Sequence, residues 1–386
     1  MARLGDVCII NPKDKIEDSE LEVSFVSMQR VSENGDIDSS ETRKVSEVCK
    51  GFTSFCEGDV LMAKITPCME NGKGAVARNL CNGCGFGSTE FFVIRPDQEK
   101  VLSEWLYYFT ANKQFRLDCE RNMTGSAGQK RVPKTYLEGC EIPVPPIEKQ
   151  QEYVGNLDRI SELIKMREKQ IKMLDDLVKS QFIEMFGDPV ENPMHWETKS
   201  LLSMGACKNG MNFHSGDSGV EINCLGVGDF KDFDVISETT NLPKVSLNEM
   251  PSEDYLLKDG DIVFVRSNGN KTMVGRSIIV FPGENPTTFS GFCIRYRNAD
   301  SSILASYLLR FLKTDAIRKL MYGRGANIQN LNQQTLSSIN VTVPPKKLQE
   351  QFVEFIDQAD KSKFAIKQSL TELETLKSSL MQQYFG

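Results

Sequence analysis

Glu57-Gly58-Asp59-Val60-Leu61-Met62-Ala63-Lys64 returns about 200 residues later as Asp259-Gly260-Asp261-Ile262-Val263-Phe264-Val265-Arg266, and this echo decides how the whole chain is read. At the same offset Ser88 meets Ser290, Arg95 meets Arg297, and Trp105-Leu106 with Phe109 meets Tyr307-Leu308 with Phe311. After a short slip, Val144-Pro145-Pro146 returns as Val343-Pro344-Pro345, Tyr153-Val154 as Phe352-Val353, and Leu157-Asp158 as Ile356-Asp357. The halves end alike, on Met185-Phe186-Gly187 and Tyr384-Phe385-Gly386. The chain is one unit written twice.

Each copy divides at its Pro-Pro. Before it, short β-rich runs (Asp59 to Ala63, Glu90 to Ile94, Asp261 to Val265, Ser277 to Phe281) alternate with Gly, Asn and Pro turns. One helical stretch interrupts each copy, near Ser103 to Asn122 and Ile303 to Tyr322. After each Pro-Pro, the apolar period changes from two to about 3.5. Gln150, Tyr153, Leu157, Ile160, Ile164, Arg167, Ile171, Leu174, Val178, Gln181 and Met185 step by threes and fours. So do Gln349, Phe352, Ile356, Ala359, Lys363, Ile366, Leu370, Leu373, Lys377, Leu380 and Tyr384. Proline suits the start of such helices, and Gly187-Asp188-Pro189 stops the first.

Each helix runs about 40 residues, roughly 60 Å at ~1.5 Å per residue. A lone amphipathic helix of that length needs an equally long partner. The repeat supplies one, returning antiparallel, with Leu157, Ile160, Ile164, Ile171, Leu174 and Val178 packing against Ile356, Ile366, Leu370, Leu373 and Leu380. The expected fold is α+β: two mixed, β-rich domains related by a pseudo-twofold axis and separated by two long antiparallel coiled-coil helices. The expected boundaries are a first domain at 1–145, a long helix within 146–187, a second domain at 188–343 and a second helix within 344–386.

Composition removes several classes of function. With 386 residues, 40% hydrophobic and 26% charged, the chain is long enough for two or three packed domains and unlike a disordered, collagenous or membrane protein. No apolar run approaches the ~18 residues of a membrane span. Met1-Ala2-Arg3-Leu4-Gly5-Asp6 lacks the apolar core of a signal peptide, so a cytoplasmic location is expected and the eleven cysteines are read as reduced thiols.

Catalytic constellations are equally scarce. Gly269-Asn270-Lys271-Thr272 lacks the Gly-Lys-Ser/Thr order of a phosphate loop and reads as a turn, and Gly226-Val227-Gly228 lacks a third glycine. No Asn-Pro-Pro-aromatic tetrad of an adenine methyltransferase occurs, and Pro96-Asp97 is not followed by the rest of a nuclease site. Only His195 and His214 offer imidazole chemistry. Cys81-Asn82-Gly83-Cys84 has no counterpart in the second copy, so no metal is expected and thiols without a ligand role are the default.

The net charge of −7 argues against indiscriminate polyanion binding, yet basic residues cluster locally. Lys113, Arg116, Arg121, Lys130, Arg131 and Lys134 face only Asp118 and Glu120 in their stretch. In the second copy Arg310, Lys313, Arg318, Lys319 and Arg324 stand against Asp315 alone, and Arg266, Lys271 and Arg276 have no acid among them. Asn and Gln accompany these cations at equivalent places in both copies. Such loops can neutralise phosphates and read purine edges.

Taken in order, these motifs resemble the specificity subunit of type I restriction-modification systems. The resemblance rests on the Gly-Asp-apolar strand ending in Lys64 or Arg266 and on the loops Gly125-Ser126-Ala127-Gly128-Gln129 and Gly325-Ala326-Asn327-Ile328-Gln329. Ile142-Pro143-Val144-Pro145-Pro146 and Val341-Thr342-Val343-Pro344-Pro345 precede Gln-containing helix starts, and Met185-Phe186-Gly187-Asp188-Pro189 leads to Asn192-Pro193 and Trp196. Two departures stand out: the first helix opens Glu148-Lys149-Gln150-Gln151 rather than with a plain Glu-Gln, and Lys363 and Lys377 interrupt the second stripe.

The resemblance implies a host-defence protein without catalytic residues, whose two target recognition domains read the halves of a split, asymmetric site in double-stranded DNA. Its long helices would dock two modification subunits and allow motor-nuclease subunits to join. It implies no cofactor on this chain, with S-adenosylmethionine, Mg and ATP only on those partners, and no membrane. By this resemblance DNA contact falls to Lys64, Thr66, Asn71, Lys73, Gln129, Lys130 and Arg131 in the first domain. In the second it falls to Arg266, Asn268, Asn270, Lys271, Arg324, Gln329 and Asn330. A two-headed scaffold with non-DNA ligands shares the helices but leaves the paired basic loops unexplained. A fused restriction-modification polypeptide lacks its catalytic residues.

Overall fold

In the computed structural model, residues 1–126, 128–214, 216–230, 234–322 and 330–386 are described. Six helices matter below: α1 (Ser103–Ala111), α2 (Lys113–Arg121), α3 (Ile147–Phe186), α4 (Ala305–Lys313), α5 (Asp315–Tyr322) and α6 (Lys346–Phe385). The chain forms two compact units, Met1–Glu168 with Gln368–Gly386, and Lys169–Lys367. The dividing line therefore falls inside both long helices.

In the first unit an antiparallel sheet runs in the order Cys8–Ile10, Phe91–Pro96, Val60–Ala63, Gly74–Val76. A second sheet orders Thr42–Lys44, Glu22–Val26, Cys84–Gly87 and Thr53–Cys56, its two middle strands parallel. All four residues of Val60–Ala63 are buried, which explains an apolar run without alternation. Successive side chains leave opposite faces of a strand. Val60 and Met62 enter the core shared with α1, while Leu61 and Ala63 enter the core beneath the other face.

The second unit repeats the plan. Asp261–Val265 lies between Cys293–Asn298 and Ser277–Val280 in a five-stranded sheet completed by Gly205–Asn209 and Val235–Ile236. A three-stranded sheet orders Lys244–Leu247, Val220–Leu225 and Thr287–Phe289. Ile262 and Phe264 point into one core, Val263 and Val265 into another.

The Gly-Asp that opens each copied strand has a structural purpose. Gly58 and Gly260 both adopt φ 85°, a region costly for side chains with a Cβ. Asp59 and Asp261, each 1% exposed, accept paired bonds from Arg95 (2.7 and 2.8 Å) and Arg297 (both 2.8 Å). These are the arginines that the repeat had aligned. Each carboxylate also accepts a backbone N–H, from Cys56 at 2.7 Å or Lys258 at 2.8 Å, so the charge is satisfied in place.

The single helical stretch expected in each copy is two helices. Asn112 is extended (φ −62°, ψ 133°), and its side-chain oxygen accepts from the Gln114 and Phe115 amides, capping α2. Thr314 breaks the second copy at the same point with φ −60° and ψ 146°.

Both long helices contain 40 residues. In the first unit Tyr153, near the start of α3, stacks on Tyr384, near the end of α6, at 4.1 Å. In the second, Phe182 and Phe186 near the end of α3 meet Phe352 near the start of α6 at 5.6 and 5.2 Å. Within each unit the helical segments thus run antiparallel. Leu157, Ile160, Val178 and Ile356 are buried, and Ile164, Ile171, Leu174, Ile366, Leu370, Leu373 and Leu380 are half-buried. Lys363 donates to Asp175 at 2.5 Å, and burial pushes the Lys377 ammonium down.

Gln150 and Gln349 are fully buried at the first turns of α3 and α6. Gln349 accepts the Leu304 amide at 2.9 Å and donates to the Ser302 and Pro344 carbonyls at 2.9 and 2.8 Å. Gln150 binds Leu102, Lys100 and Pro145 in the same way. One amide thereby satisfies three backbone groups that the chain reversal would leave orphaned.

Candidate nucleic-acid interface

The strand Val60–Ala63 delivers Lys64 to the surface, and a second loop returns beside it. Val132 N–H donates to the Lys64 carbonyl and Thr66 N–H to the Lys130 carbonyl, both at 3.0 Å, and isolated β-bridges join Ile65 and Thr124 to Arg131. The structure therefore brings Lys64, Thr66, Gln129, Lys130 and Arg131 together. Asn71 and Lys73 sit on the same first loop, closed by their amides donating to Pro67 and Cys68 carbonyls at 3.0 Å.

The side chains divide into two groups. Asn71, Gln129 and Lys130 are exposed. Arg131 instead makes a forked pair with Glu90 at 2.7 and 2.9 Å, and its guanidinium holds that carboxyl below its ordinary range. Thr66 donates its hydroxyl to Glu70 at 2.7 Å, and Lys73 donates to the Met28 carbonyl at 3.3 Å. Lys64 lies with its ammonium 5.5 Å from the Phe92 ring centroid. Arg131, Thr66 and Lys73 thus hold the loops in shape, a task that competes with contact to a ligand.

The second unit uses the same backbone frame. Leu331 N–H donates to the Arg266 carbonyl at 2.8 Å, and Ser267 bridges Asn330. Arg266 donates to the Gly291 carbonyl at 3.3 Å. Asn268 accepts the Asn270 amide at 2.7 Å, and Asn270 accepts both the amide and hydroxyl of Thr272 at 3.0 and 2.9 Å. Gly269-Asn270-Lys271-Thr272 is accordingly a side-chain-stabilised turn. Asn270, Lys271 and Asn330 are exposed, while Arg324 and Gln329 lie outside the described residues.

Equivalent positions carry different chemistry. Lys64 N–H donates to the Glu90 carbonyl at 2.9 Å, and Arg266 N–H to the Phe292 carbonyl at 2.7 Å. Glu90 corresponds to Phe292, and by their bridges Arg131 corresponds to Asn330. The ion pair of the first unit is replaced by an aromatic ring 62% exposed and an amide. Sequence reasoning passed over Phe292; the alignment of the copies at Glu90 was the signal that could have found it.

Several basic residues of the clusters are engaged elsewhere. Arg121 pairs with Asp118 and Lys134 with Glu138 along their helices, and Arg310 and Lys313 turn toward Asp234. Among the described residues, one group of three metal-type ligands converges, Asp14, Cys56 and Asp59. Arg95 already occupies the place of a cation there, donating to both carboxylates at 2.6 to 2.9 Å. Burial pushes the Cys8 and Cys224 thiols up to about 12, so they remain protonated near neutral pH. No described helix is long and apolar enough to cross a membrane.

Comparison with known proteins agrees with this geometry. The chain matches the family described as "Type I restriction modification DNA specificity domain" over residues 1–174 and 227–376. It is similar to the type I restriction enzyme EcoEI specificity subunit of Escherichia coli, 39% identical over 168 residues, which are 43% of this chain but 28% of that protein. The MjaIX specificity subunit of Methanocaldococcus jannaschii is 23% identical over 376 residues, covering 90% of this chain and 78% of the relative. A chain from the structural study "Structural basis underlying complex assembly and conformational transition of the type I R-M system" shares the fold. Its TM-score is 0.60 at 18% identity, over 100% of this chain and 96% of that one. With the family's domain matched in both copies of the repeat, the chain belongs to the type I restriction-modification specificity subunits.

Proposed function

We propose that this chain reads a split, asymmetric sequence in double-stranded DNA and delivers two modification subunits to it. The observation that carries the reading is the frame just described. The same two loops are tied by the same backbone bonds in both units, yet Glu90 and Arg131 face Phe292 and Asn330 at equivalent places. A constant frame with exchanged side chains suits two half-sites of different sequence. Methyl transfer and cleavage belong to the partners, which carry S-adenosylmethionine, Mg and ATP; motor-nuclease subunits join the same assembly. For docking, α3 exposes Leu163, Met166, Met173 and Leu177 at helical spacing outside its buried ladder. Work on DNA inside a cell places the complex in the cytoplasm.

The test is methylome sequencing of a methylation-free host expressing this chain with its modification subunit, beside that subunit alone. A split, non-palindromic methylated motif that needs this chain is the expected result. A palindromic motif refutes the asymmetric reading. No motif, with a folded modification subunit that binds S-adenosylmethionine, favours the non-DNA scaffold.

A further inference from the structure

One turn recurs in both copies at the root of the candidate interface. In the first, Ser88-Thr89-Glu90 leads into the strand Phe91–Pro96; in the second, Ser290-Gly291-Phe292 leads into Cys293–Asn298. Ser88 accepts the Glu90 amide on its hydroxyl at 3.2 Å and the Phe91 amide on its carbonyl at 3.1 Å. Ser290 does the same for Phe292 and Cys293, at 3.3 and 2.8 Å. The second turn is clamped on both sides. Ser290 and Gly291 N–H donate to the Leu225 and Met211 carbonyls at 2.9 and 2.6 Å, and the Phe292 carbonyl accepts from the Arg266 and Ser267 amides at 2.7 and 3.3 Å.

On this constant turn the tip residue is exchanged. Glu90 is engaged by Arg131, whereas Phe292 stands 62% exposed. A single exposed phenylalanine is ordinary on a protein surface. This one is set apart by its place: its backbone is fixed from two directions, and what surrounds its root is polar. Arg266 donates from its guanidinium to the Gly291 carbonyl at 3.3 Å, and Ser267 bridges the exposed Asn330. A ring with two rotatable bonds on an ordered backbone loses little conformational entropy when something covers it.

The neighbours indicate what covers it. Arginine and asparagine suit the purine edges presented in the major groove of DNA, and the apolar feature of that groove is the 5-methyl group of thymine. A glutamate tied to an arginine cannot replace the ring in such a contact, so the first unit has no counterpart at Glu90.

We propose that Phe292 is a specificity-determining residue that reads a thymine, packing its ring on the 5-methyl group in the half-site read by the second unit. The assignment rests on the DNA reading above; the family's DNA specificity domain, matched over residues 227–376, extends across Phe292.

The test measures binding of this chain, in complex with its modification subunit, to duplexes carrying the methylated motif. Each thymine of the motif is replaced in turn by deoxyuridine, which lacks only the methyl group. Withdrawing one methyl group from water is worth about fourfold in affinity. Wild type is expected to lose about that factor at a thymine of one half-site. Phe292→Ala is expected to bind the parent duplex about fivefold or more weakly and to bind thymine and deoxyuridine alike at that position, while its melting temperature stays at the wild-type value. Phe292→Leu, still apolar, should keep part of the discrimination. The assignment is overturned if no deoxyuridine weakens binding, if the penalty survives in full in Phe292→Ala, or if Phe292→Ala weakens binding by an amount that no deoxyuridine reproduces, the mark of a ring wedged between bases. A wild-type complex that does not prefer the motif over unrelated duplex is a separate result, which removes the DNA reading and this assignment with it.

Discussion

Replacing Gln349 by leucine keeps the volume of a fully buried side chain and removes its three hydrogen bonds. The Leu304 amide and the Ser302 and Pro344 carbonyls, now bonded at 2.8 to 2.9 Å, would all be left without that partner. An orphaned buried polar group costs about 1–3 kcal/mol, and local relaxation recovers part of it, so the expected loss is about 3–5 kcal/mol. For a unit of this size each kcal/mol lowers Tm by about 2–4 °C, giving a fall on the order of 10 °C by calorimetry or circular dichroism. Gln351→Leu, two residues on and exposed, is the control and should stay within about 0.5 kcal/mol. Gln150→Leu should reproduce the loss in the first unit and, sharing no partner with Gln349, add to it. A Gln349→Leu loss below about 1 kcal/mol relative to the control refutes the claim that this amide pins the domain to the helix start.

Breaking the buried Asp261–Arg297 pair with Asp261→Asn should cost about 2–4 kcal/mol in urea unfolding, because Arg297 keeps its charge without the carboxylate; a neutral result refutes it. Lys130→Ala should weaken DNA binding equally for all sequences and lower the slope of log affinity against log salt by about 1, whereas Phe292→Ala should cost about 1–3 kcal/mol and relax reading in one half-site alone. The Glu90 carboxyl, held below its ordinary 4.5 by Arg131, contributes stability above that pH and loses it as pH falls through the depressed folded value. The stability gap between wild type and Glu90→Gln should therefore shrink from roughly pH 6 to pH 3; a constant gap is the refuting result.

What was legible in the sequence depended on periodicity, and what was hidden depended on partners far away along the chain. Val60–Ala63 and Asp261–Val265 were readable as strands because buried, β-prone runs sit between glycine turns. The long helices were readable because a 3.5-residue step holds for eleven rungs in each copy. The break at Asn112 was locally encoded, since asparagine followed by a helix is a cap, but a continuous apolar pattern masked it. The ion pair of Arg131 was invisible because its acid, Glu90, lies 41 residues upstream. Arg310 and Lys313 were counted in a local basic excess for the same reason: Asp234 is 76 and 79 residues away. Gln150 and Gln349 were noted as rungs, and only the folded reversal shows that each satisfies three backbone groups.

The strand that splits its side chains between two cores also determines where this protein can acquire new specificity. Inserting one residue within Val60–Ala63 would send every strand residue on one side of the insertion to the wrong layer and disturb both cores at once. Inserting residues after Lys64 keeps the strand's register, but the loop there has anchors of its own: Met69 is buried in the first core, Lys73 donates to the Met28 carbonyl, and the Lys64 carbonyl accepts the Val132 amide. Change is thus confined within the strand by two cores, and within the loop to positions between these anchors, such as the exposed Asn71. Substitution at such exposed loop positions can alter one unit while its strand and the long helices stay as they are.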